Sequence, residues 1–361
     1  QNFLPDIGGI QNYVTGMADA FATRGQTIAV FCDREDEPGT AASVDAARNY
    51  PIYRFGGPRP WRSWRKALAI RKQLAAGDVR ALVADSWKGL AYLPESALAK
   101  TPVMCLAHGA ELLVPLDSAK GRRISRALAK ADIVAANSHF TAGLVRPFVH
   151  GDTDVRVLLP GVSTPATAPR ELPLRPESVA GRLLTIARLD PYKGIDRVLE
   201  ALPQLLQQHP ELHYDIVGSG ADAARLHALA QSFGVKEVVT FHGRVSEDKK
   251  TKLLRNAGIF ILPSRIEPDE VEGFGIVFVE AGAFGIPSIG GRDGGTPDAV
   301  LDGRTGLLVD GNDSAAIAAA LSRLLDDQAL AEALGGGGFK RFWSEFAWES
   351  AIGRFAGALG F

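Results

Sequence analysis

The pattern that most limits the fold of this chain is an alternation of short β-branched runs with amphipathic helical segments, which occurs twice. Such alternation is typical of parallel sheets, so we predict an α/β protein. The predicted strands are 27–32, 52–55, 81–84, 103–107, 133–136, 155–159, 183–187, 214–217, 238–242, 259–262, 287–290 and 306–309. The predicted helices are 10–24, 61–75, 120–130, 195–209, 221–233, 248–257, 277–284 and 315–334.

A proline-rich stretch at 160–176 separates the two rounds and is interpreted as a linker. A chain of 361 residues is too long for one ordinary core, so we predict Rossmann-like domains at 1–162 and 163–345 that face a central cleft. The aromatic-rich segment 346–361 is predicted to be a helix that packs back on the first domain. The glycines at 335–338 are predicted to break the helix before it. Because the chain starts with a predicted loop rather than a strand, we expect a short opening segment to be missing.

Charge is distributed unevenly along the chain. Residues 1–165 contain 20 basic and 15 acidic side chains, and the remainder contains 20 basic and 26 acidic ones, for a net charge of −1. This balance argues against a nucleic-acid binder and makes the first half the candidate for an anionic partner. The sequence has no metal-ligand spacing, no membrane-spanning apolar run and no signal-peptide pattern. With two cysteines in apolar strands, these features predict a cytoplasmic protein.

Two turns precede predicted helices and are suited to phosphate. Gly8 and Gly9 open the first helix, where main-chain N–H groups and the helix dipole favour an anion. Arg188 and Lys193 flank the turn after the first strand of the second half, where two cations suit a diphosphate. A purely structural glycine turn and a solvated charged loop remain the alternative interpretations.

Glu272 and Glu280 lie eight positions apart, the first in a glycine-containing loop and the second on the helix that follows. A carboxylate can accept two hydrogen bonds from a vicinal diol, such as that of a ribose or hexose. Glu280 follows an apolar run, where a carboxylate rarely lies without a partner, so we favour a ligand role over a solvated face. His108 follows the predicted buried strand 103–107, where a structural histidine and a catalytic one fit equally well.

In this order, the segments resemble the family-four retaining glycosyltransferases, which have the GT-B fold. The resemblance covers nearly the whole chain, and the Glu272–Glu280 motif is its most specific part. It implies an enzyme that transfers a hexose from a nucleotide sugar with retention of configuration, without a metal or other cofactor. A non-catalytic protein that binds sugar nucleotides is the alternative from another functional class.

The resemblance also implies a role for each candidate residue. Glu280 would bind the ribose, and Glu272 would bind the hydroxyl groups of the donor sugar. Arg188 and Lys193 would neutralise the diphosphate, and His108 would lie beside the anomeric carbon. These last three and Glu272 form the predicted catalytic set. Further donor contacts are expected from Gly8, Gly9, Arg244, Phe274, Gly275 and Ile276.

The segments 107–111, 269–277 and 294–300 are most similar to phosphatidylinositol mannosyltransferases and related mannosyl enzymes. The resemblance therefore favours GDP-mannose as donor, while a UDP-sugar transferase with a small soluble acceptor remains open. The basic helix 59–73 carries Trp61 and Trp64, a pattern typical of helices that lie on anionic headgroups. We therefore expect a lipid-linked or glycan acceptor and a peripheral position on the inner face of the membrane, and a basic helix that is merely solvated remains the alternative interpretation.

Overall fold

The structure is a computed structural model that describes residues 3–5, 8–34, 40–163, 168–173 and 179–361. It divides into two compact units, Gln1–Ser163 with Ala347–Phe361, and Thr164–Phe346. Both units contain parallel strands flanked by helices, as the alternating pattern predicts. No helix within the described ranges is both long and apolar enough to cross a bilayer.

Every predicted strand overlaps an observed one. The strands are β1 (Val30–Asp33), β2 (Ile52–Phe55), β3 (Leu82–Ala84), β4 (Val103–Ala107), β5 (Ile133–Ala136), β6 (Asp154–Val157), β7 (Arg182–Ile186), β8 (His213–Val217), β9 (Val239–Gly243), β10 (Ile259–Leu262), β11 (Ser288–Gly291) and β12 (Gly306–Val309).

The predicted helices also form, although the predicted helix 315–334 is divided between two helices. Several short helices are added, because segments of four to seven residues show no readable periodicity. The α-helices are α1 (Gly9–Thr23), α2 (Thr40–Ala46), α3 (Arg59–Ala75), α4 (Trp87–Leu90), α5 (Glu95–Leu98), α6 (Ala119–Leu128), α7 (His139–Val145), α8 (Ile195–Leu205), α9 (Ala223–Ser232), α10 (Glu247–Asn256), α11 (Ile276–Gly282), α12 (Thr296–Ala299), α13 (Ser314–Asp326), α14 (Gln328–Arg341) and α15 (Trp348–Ala358).

In the first unit, β3, β4, β5 and β6 pair in chain order, and β1 and β2 form a separate parallel pair. β4 is buried along its whole length, as expected for a strand covered on both faces. The final helix, α15, packs on α1. The ring of Trp348 stacks on Tyr13 with 5.8 Å between centroids, and a Cβ on Gly16 would lie 2.1 Å from the indole nitrogen. Glycine on α1 thus allows the close approach of the last helix.

The second unit contains a six-stranded parallel sheet in the order β12-β11-β10-β7-β8-β9. The order reverses between β7 and β10, which pair through Leu183 with Ile259 and Leu184 with Phe260. At such a reversal the connections after the two strands leave in opposite directions, and a crevice forms beyond their carboxyl ends. The loops there are 187–194 and 263–275, and both carry predicted site residues.

The glycine run 335–338 does not break the last long helix, contrary to the prediction. The run lies inside α14, and the break falls at Asp327, whose side chain caps the start of α14. A Cβ on Gly335 would lie 2.1 Å from the carbonyl oxygen of Gly285. Glycine is therefore needed for the close packing of α14, and this packing outweighs a helix-propensity cost of about 1 kcal/mol per glycine.

Candidate functional site

The cationic turn after β7 is fastened to the loop after β10. Lys193 ends a short 3-10 turn, and its ammonium group donates a hydrogen bond of 2.7 Å to Glu272 Oε2. Gly194 follows with a φ of 73°, and a Cβ there would lie 2.1 Å from the carbonyl oxygen of Pro263. Only glycine allows the two loops to approach this closely. The structure therefore brings two predicted site residues into direct contact.

Lys193 and Glu272 form a charged pair in a mostly buried position, with side chains 9% and 15% exposed. Burial by itself lowers the pKa of Lys193, but Glu272 and then Tyr192 outweigh this effect and raise the pKa above its usual value. Lys193 is therefore an ammonium ion at neutral pH. A cation shielded from water interacts more strongly with an anionic ligand than one on the surface does.

Arg188 lies at the open side of the same turn, where its side chain is 60% exposed. Its guanidinium group forms an ion pair with Asp190 and lies 3.4 Å from Glu270 Oε1. Exposed pairs of this kind contribute little to stability and exchange readily for another anion. Arg188 is thus accessible to a ligand phosphate at the carboxyl end of β7.

A buried ion pair supports the turn from the loop after β10. Arg265 donates hydrogen bonds of 2.9 and 3.4 Å to the two oxygens of Asp196, in the first turn of α8. Its main-chain N–H also donates to the carbonyl oxygen of Tyr192, at 2.8 Å. Burial raises the pKa of Asp196, but the guanidinium groups of Arg265, Arg225 and Arg197 together outweigh burial, and the pKa is lowered overall. Arg265 therefore holds both ends of the segment that carries Lys193.

Glu280 lies on α11 and is paired with a cation of the preceding helix. Lys250, on α10, donates a hydrogen bond of 2.8 Å to Glu280 Oε1. The two side chains are 16% and 13% exposed. The carboxylate that was predicted to bind a ribose is thus mostly buried and held by a single cation.

The loop before α11 contributes main chain rather than side chains. Gly275 has a φ of 91°, in the region that favours glycine, and the Phe274 ring is buried against Phe346 with 5.8 Å between centroids. Phe274 can therefore serve the predicted site only through its main chain, while Ile276 is half-buried. The N–H group of Gly295 donates to the Glu272 carbonyl oxygen at 2.8 Å, so a second glycine turn lies against the same loop.

Arg244 follows β9 and is exposed. Its Nε donates a hydrogen bond of 2.9 Å to Ser219 Oγ, which lies in the segment after β8. The predicted base-binding residue is therefore at the carboxyl ends of β8 and β9, the same edge of the sheet as the turn that carries Lys193.

In the first unit, His108 directly follows β4 and is held at several atoms. Its Nε2 lies 2.8 Å from the Asp85 carbonyl oxygen. A carbonyl oxygen can only accept, so this contact requires the proton on Nε2, and in the neutral imidazole Nδ1 is then the acceptor. The N–H group of His108 donates to Glu111 Oε1 at 2.7 Å, and its carbonyl oxygen accepts from Asn137 Nδ2 at 3.2 Å. The imidazole therefore has a defined orientation at the carboxyl end of the sheet.

The predicted glycine turn at the start of the chain is described in part. Gly9 begins α1 and Gly8 precedes it, while Asp6 and Ile7 lie outside the described residues. The first turn of α1 contains no acidic residue. Its main-chain N–H groups therefore face no competing charge from that turn.

The basic helix predicted at 59–73 forms as α3, but not all of its cations face solvent. Lys66 is buried and lies 2.5 Å from Asp33 Oδ1, and Arg62 lies 3.3 Å from Asp33 Oδ2. Trp61 and Trp64 are 66% and 55% exposed, and they share one stripe of the helix with the exposed Leu68. The exposed cations of the predicted segment are Arg59, Arg65, Arg71 and Lys72.

Sequence reasoning missed the residues that hold the predicted ones. Asp196, Arg265 and Lys250 belong to ordinary charged segments, and their partners are far away in the chain. Only the apolar context of Glu280 signalled that its carboxylate needs a partner, which the sequence reasoning took to be a ligand. Among the described residues, no group of three or more His, Cys, Asp and Glu side chains is arranged to hold a metal ion.

Two family models together match most of the chain. The model described as Glycosyltransferase Family 4 matches residues 7–165, and the model described as Glycosyl transferases group 1 matches residues 179–341. The two matches correspond to the two rounds of strands and helices.

Among curated proteins, the GDP-mannose-dependent alpha-(1-6)-phosphatidylinositol monomannoside mannosyltransferase of Mycobacterium tuberculosis is 29% identical, over 99% of this chain and 96% of that protein. The D-inositol 3-phosphate glycosyltransferase of Acidothermus cellulolyticus is 30% identical, over 92% of this chain and 81% of that protein. Among solved structures, HepE from Anabaena in complex with UDP has a TM-score of 0.77 at 18% identity, over 99% and 98% of the two chains. This last likeness concerns the fold.

Proposed function

Because this chain belongs to the family-four glycosyltransferases and is a hexosyltransferase with the GT-B fold, we propose that it transfers mannose from GDP-mannose to a hydroxyl group of a lipid-linked or glycan acceptor, with retention of configuration. The Mycobacterium tuberculosis relative is named for this donor and for a phosphatidylinositol acceptor. That name supports the donor and the class of acceptor.

The observation that carries the proposal is the Lys193–Glu272 pair at the reversal of strand order, with Arg188 beside it. A nucleotide sugar offers a diphosphate next to a polyhydroxylated ring. The arrangement places cations next to a carboxylate at the edge where such sheets bind ligands. In the proposal, Arg188 and Lys193 bind the diphosphate, Glu272 accepts hydrogen bonds from the sugar, and Glu280 binds the ribose.

The proposed mechanism follows from the charges that develop. Breaking the glycosidic C–O bond places negative charge on the departing diphosphate and positive charge on the anomeric carbon. The negative charge on the diphosphate is stabilised by Arg188, by Lys193 and by the N–H groups at Gly8 and Gly9. The acceptor hydroxyl attacks from the face that the diphosphate leaves, and a phosphate oxygen takes its proton. No metal takes part in this proposal.

His108 completes the proposed machinery of the first unit. With its proton on Nε2 directed at the Asp85 carbonyl, the free acceptor is Nδ1. An acceptor nitrogen suits a hydroxyl group of the donor sugar better than it suits the donation of a proton. In the proposal, His108 therefore orients the sugar rather than acting as a general acid.

The proposed acceptor is presented at an anionic membrane surface by α3. The exposed Trp61, Trp64 and Leu68 provide the apolar stripe, and Arg71 and Lys72 add charge close to it. Tryptophan and cations together are typical of helices that lie in the headgroup region. In this proposal the protein docks peripherally on the inner face of the membrane, and the lipid-linked acceptor lies in that membrane.

A UDP-sugar is the second candidate donor, because the structural neighbour HepE was solved with UDP. The experiment that separates the two measures binding and hydrolysis of GDP-mannose, UDP-glucose, UDP-N-acetylglucosamine and UDP-galactose by the wild type and by Glu280→Ala. Tight binding of GDP-mannose that the variant loses is the expected result. Preference for a UDP-sugar would overturn the mannosyl proposal, and binding of none would overturn the catalytic site.

A further inference from the structure

Lys250 is a charged residue that the roles described so far do not use. It lies on the first turns of α10, and its ammonium group donates to Glu280 Oε1 at 2.8 Å. A second carboxylate, Glu247 Oε2, is 3.6 Å away, but that side chain is 68% exposed. Glu280 is therefore the principal partner of Lys250.

The pair leaves half of the Glu280 carboxylate available. Within the described part of the chain, Glu280 Oε2 has no hydrogen-bond partner, and Lys250 donates its hydrogen bond to Oε1. Burial by itself lowers the pKa of Lys250, but Glu280 and then Glu247 outweigh burial and raise the pKa. Lys250 is thus charged at neutral pH and restrains Glu280 continuously.

A mostly buried ion pair of this type adds little net stability, because the loss of hydration offsets much of the Coulomb attraction. What it adds is orientation. A carboxylate tethered at one oxygen has lost rotational freedom about its terminal bond, so its other oxygen keeps one direction. A ligand that hydrogen-bonds to an oriented carboxylate does not have to order the side chain on binding.

We propose that Lys250 is a positioning residue for the donor nucleotide, which orients Glu280 so that the carboxylate accepts hydrogen bonds from both hydroxyl groups of a ribose. This inference rests on the proposed function, because it assigns the ribose to Glu280. It adds that recognition of the ribose depends on Lys250 although Lys250 does not touch the nucleotide. Neutral replacements of Lys250 therefore weaken the contact to the diol and leave the other nucleotide contacts intact.

The test is ribose discrimination, defined as the Kd of a 2′,3′-dideoxynucleoside diphosphate divided by the Kd of the parent nucleotide. Titration calorimetry gives this ratio for GDP and for UDP, each with its dideoxy analogue. Charge-assisted hydrogen bonds predict a ratio on the order of 10- to 100-fold for the wild type. We expect Lys250→Met to bring the ratio close to that of Glu280→Gln, and Lys250→Arg to preserve most of it.

The control variant is Lys249→Met, which removes an exposed lysine from the same helix and should leave the ratio unchanged. Thermal melting checks each variant, and Lys250→Gln replaces Lys250→Met if the latter does not fold. If Lys250→Met weakens parent and dideoxy nucleotides equally, Lys250 is only structural and the inference is wrong. If the wild type binds both GDP and UDP, an effect confined to one base would mean that Lys250 contacts the base, which also overturns the inference.

Failure of the proposed function has a different signature. If the wild type shows no ribose discrimination, or Glu280→Gln retains it, the ribose does not bind at Glu280. If the wild type binds neither GDP nor UDP, the donor site and the inference that rests on it are both wrong. If Glu280→Gln loses discrimination but Lys250→Met keeps it, the site stands and only the role of Lys250 is rejected.

Discussion

Lys193 and Glu272 are 79 positions apart in the chain, and yet the ammonium group of one lies 2.7 Å from the carboxylate of the other. The pair joins the loops that follow two neighbouring strands at the reversal of strand order. Both side chains are mostly buried, so each charge stabilises the other in a position where water cannot fully hydrate it. The pair is therefore both a structural contact and the centre of the proposed donor site.

Replacing only one member of this pair should be costly. Lys193→Met leaves Glu272 with an unpaired buried charge, so we expect the free energy of unfolding to fall by about 3 kcal/mol. The double variant Lys193→Met with Glu272→Gln should recover part of this loss. The measurement is urea unfolding of the wild type, both single variants and the double variant.

Activity should respond differently from stability in the same four proteins. We expect kcat/KM for the donor to fall roughly 100-fold or more in Lys193→Met, because the proposed site loses a charge that would stabilise the leaving diphosphate. The double variant should be no more active. A double variant that regains activity along with stability would show that Lys193 is needed for folding alone.

The Asp196–Arg265 pair predicts a specific loss of stability in acid. The pKa of Asp196 is lower in the folded chain than in the unfolded one, so its contribution is present above about pH 4, near the unfolded value. That contribution disappears as the pH falls through the folded pKa. We therefore expect Asp196→Asn to be less stable than the wild type at pH 7, with the difference shrinking below pH 4.

Urea unfolding between pH 2.5 and pH 7 measures this difference. Asp152→Asn, at an exposed position, is the matched control and should track the wild type at every pH. A gap between the wild type and Asp196→Asn that widens in acid would contradict the direction of the pKa shift.

Membrane docking through α3 should depend on its exposed cations and not on its buried ones. Each cation near an anionic surface contributes roughly 1 kcal/mol, so replacing both Arg71 and Lys72 by alanine should weaken binding by roughly 30-fold. Vesicle co-sedimentation with and without phosphatidylserine is the measurement. The control replaces Lys249 and Lys252, two exposed lysines of α10, and should bind as the wild type does.

Added salt provides an independent check, since it screens charges at the membrane surface. Binding of the wild type to anionic vesicles should weaken as salt rises. Equal binding to neutral and anionic vesicles, or no binding to either, would reject α3 as an electrostatic docking helix.

The glycine run of α14 allows a prediction from two neighbouring positions. A Cβ on Gly335 would lie 2.1 Å from a main-chain carbonyl oxygen, whereas one on Gly336 would meet only the end of Leu172, at 3.4 Å. Gly335→Ala should therefore destabilise the protein, and Gly336→Ala should stabilise it by up to about 1 kcal/mol through helix propensity. Thermal unfolding of the two variants is the comparison, and a shift of the same sign in both would reject the packing explanation.

Parts of the site could be predicted from the sequence, because their positions depend only on the strand and helix that flank them. Arg188 and Lys193 stand between a recognisable strand and helix, which places them at the carboxyl edge of a parallel sheet whatever the strand order. Lys250 could not be found in this way. It lies in the charged run 247–250, where nothing local distinguishes it from Lys249.

The basic helix and the glycine run also show that contacts with distant parts of the chain cannot be predicted from local sequence. The helical period of α3 was readable, but the pairing of Lys66 with Asp33 required the fold, since the partner belongs to β1. Glycine is a poor helix former, so local propensity indicated a break at 335–338. Contact with the main chain around Gly285 reversed that outcome.

By itself, the sequence determined the strands and most of the longer helices, and which residues follow the carboxyl ends of the strands. Periodicity, propensity and turn chemistry act over a few residues, so they can be read locally. Only the tertiary structure decided that Lys193 meets Glu272, that Lys250 holds Glu280 and that Arg265 anchors Asp196. These pairs depend on the order of strands in the sheet and on close backbone approaches, which form when the whole unit packs.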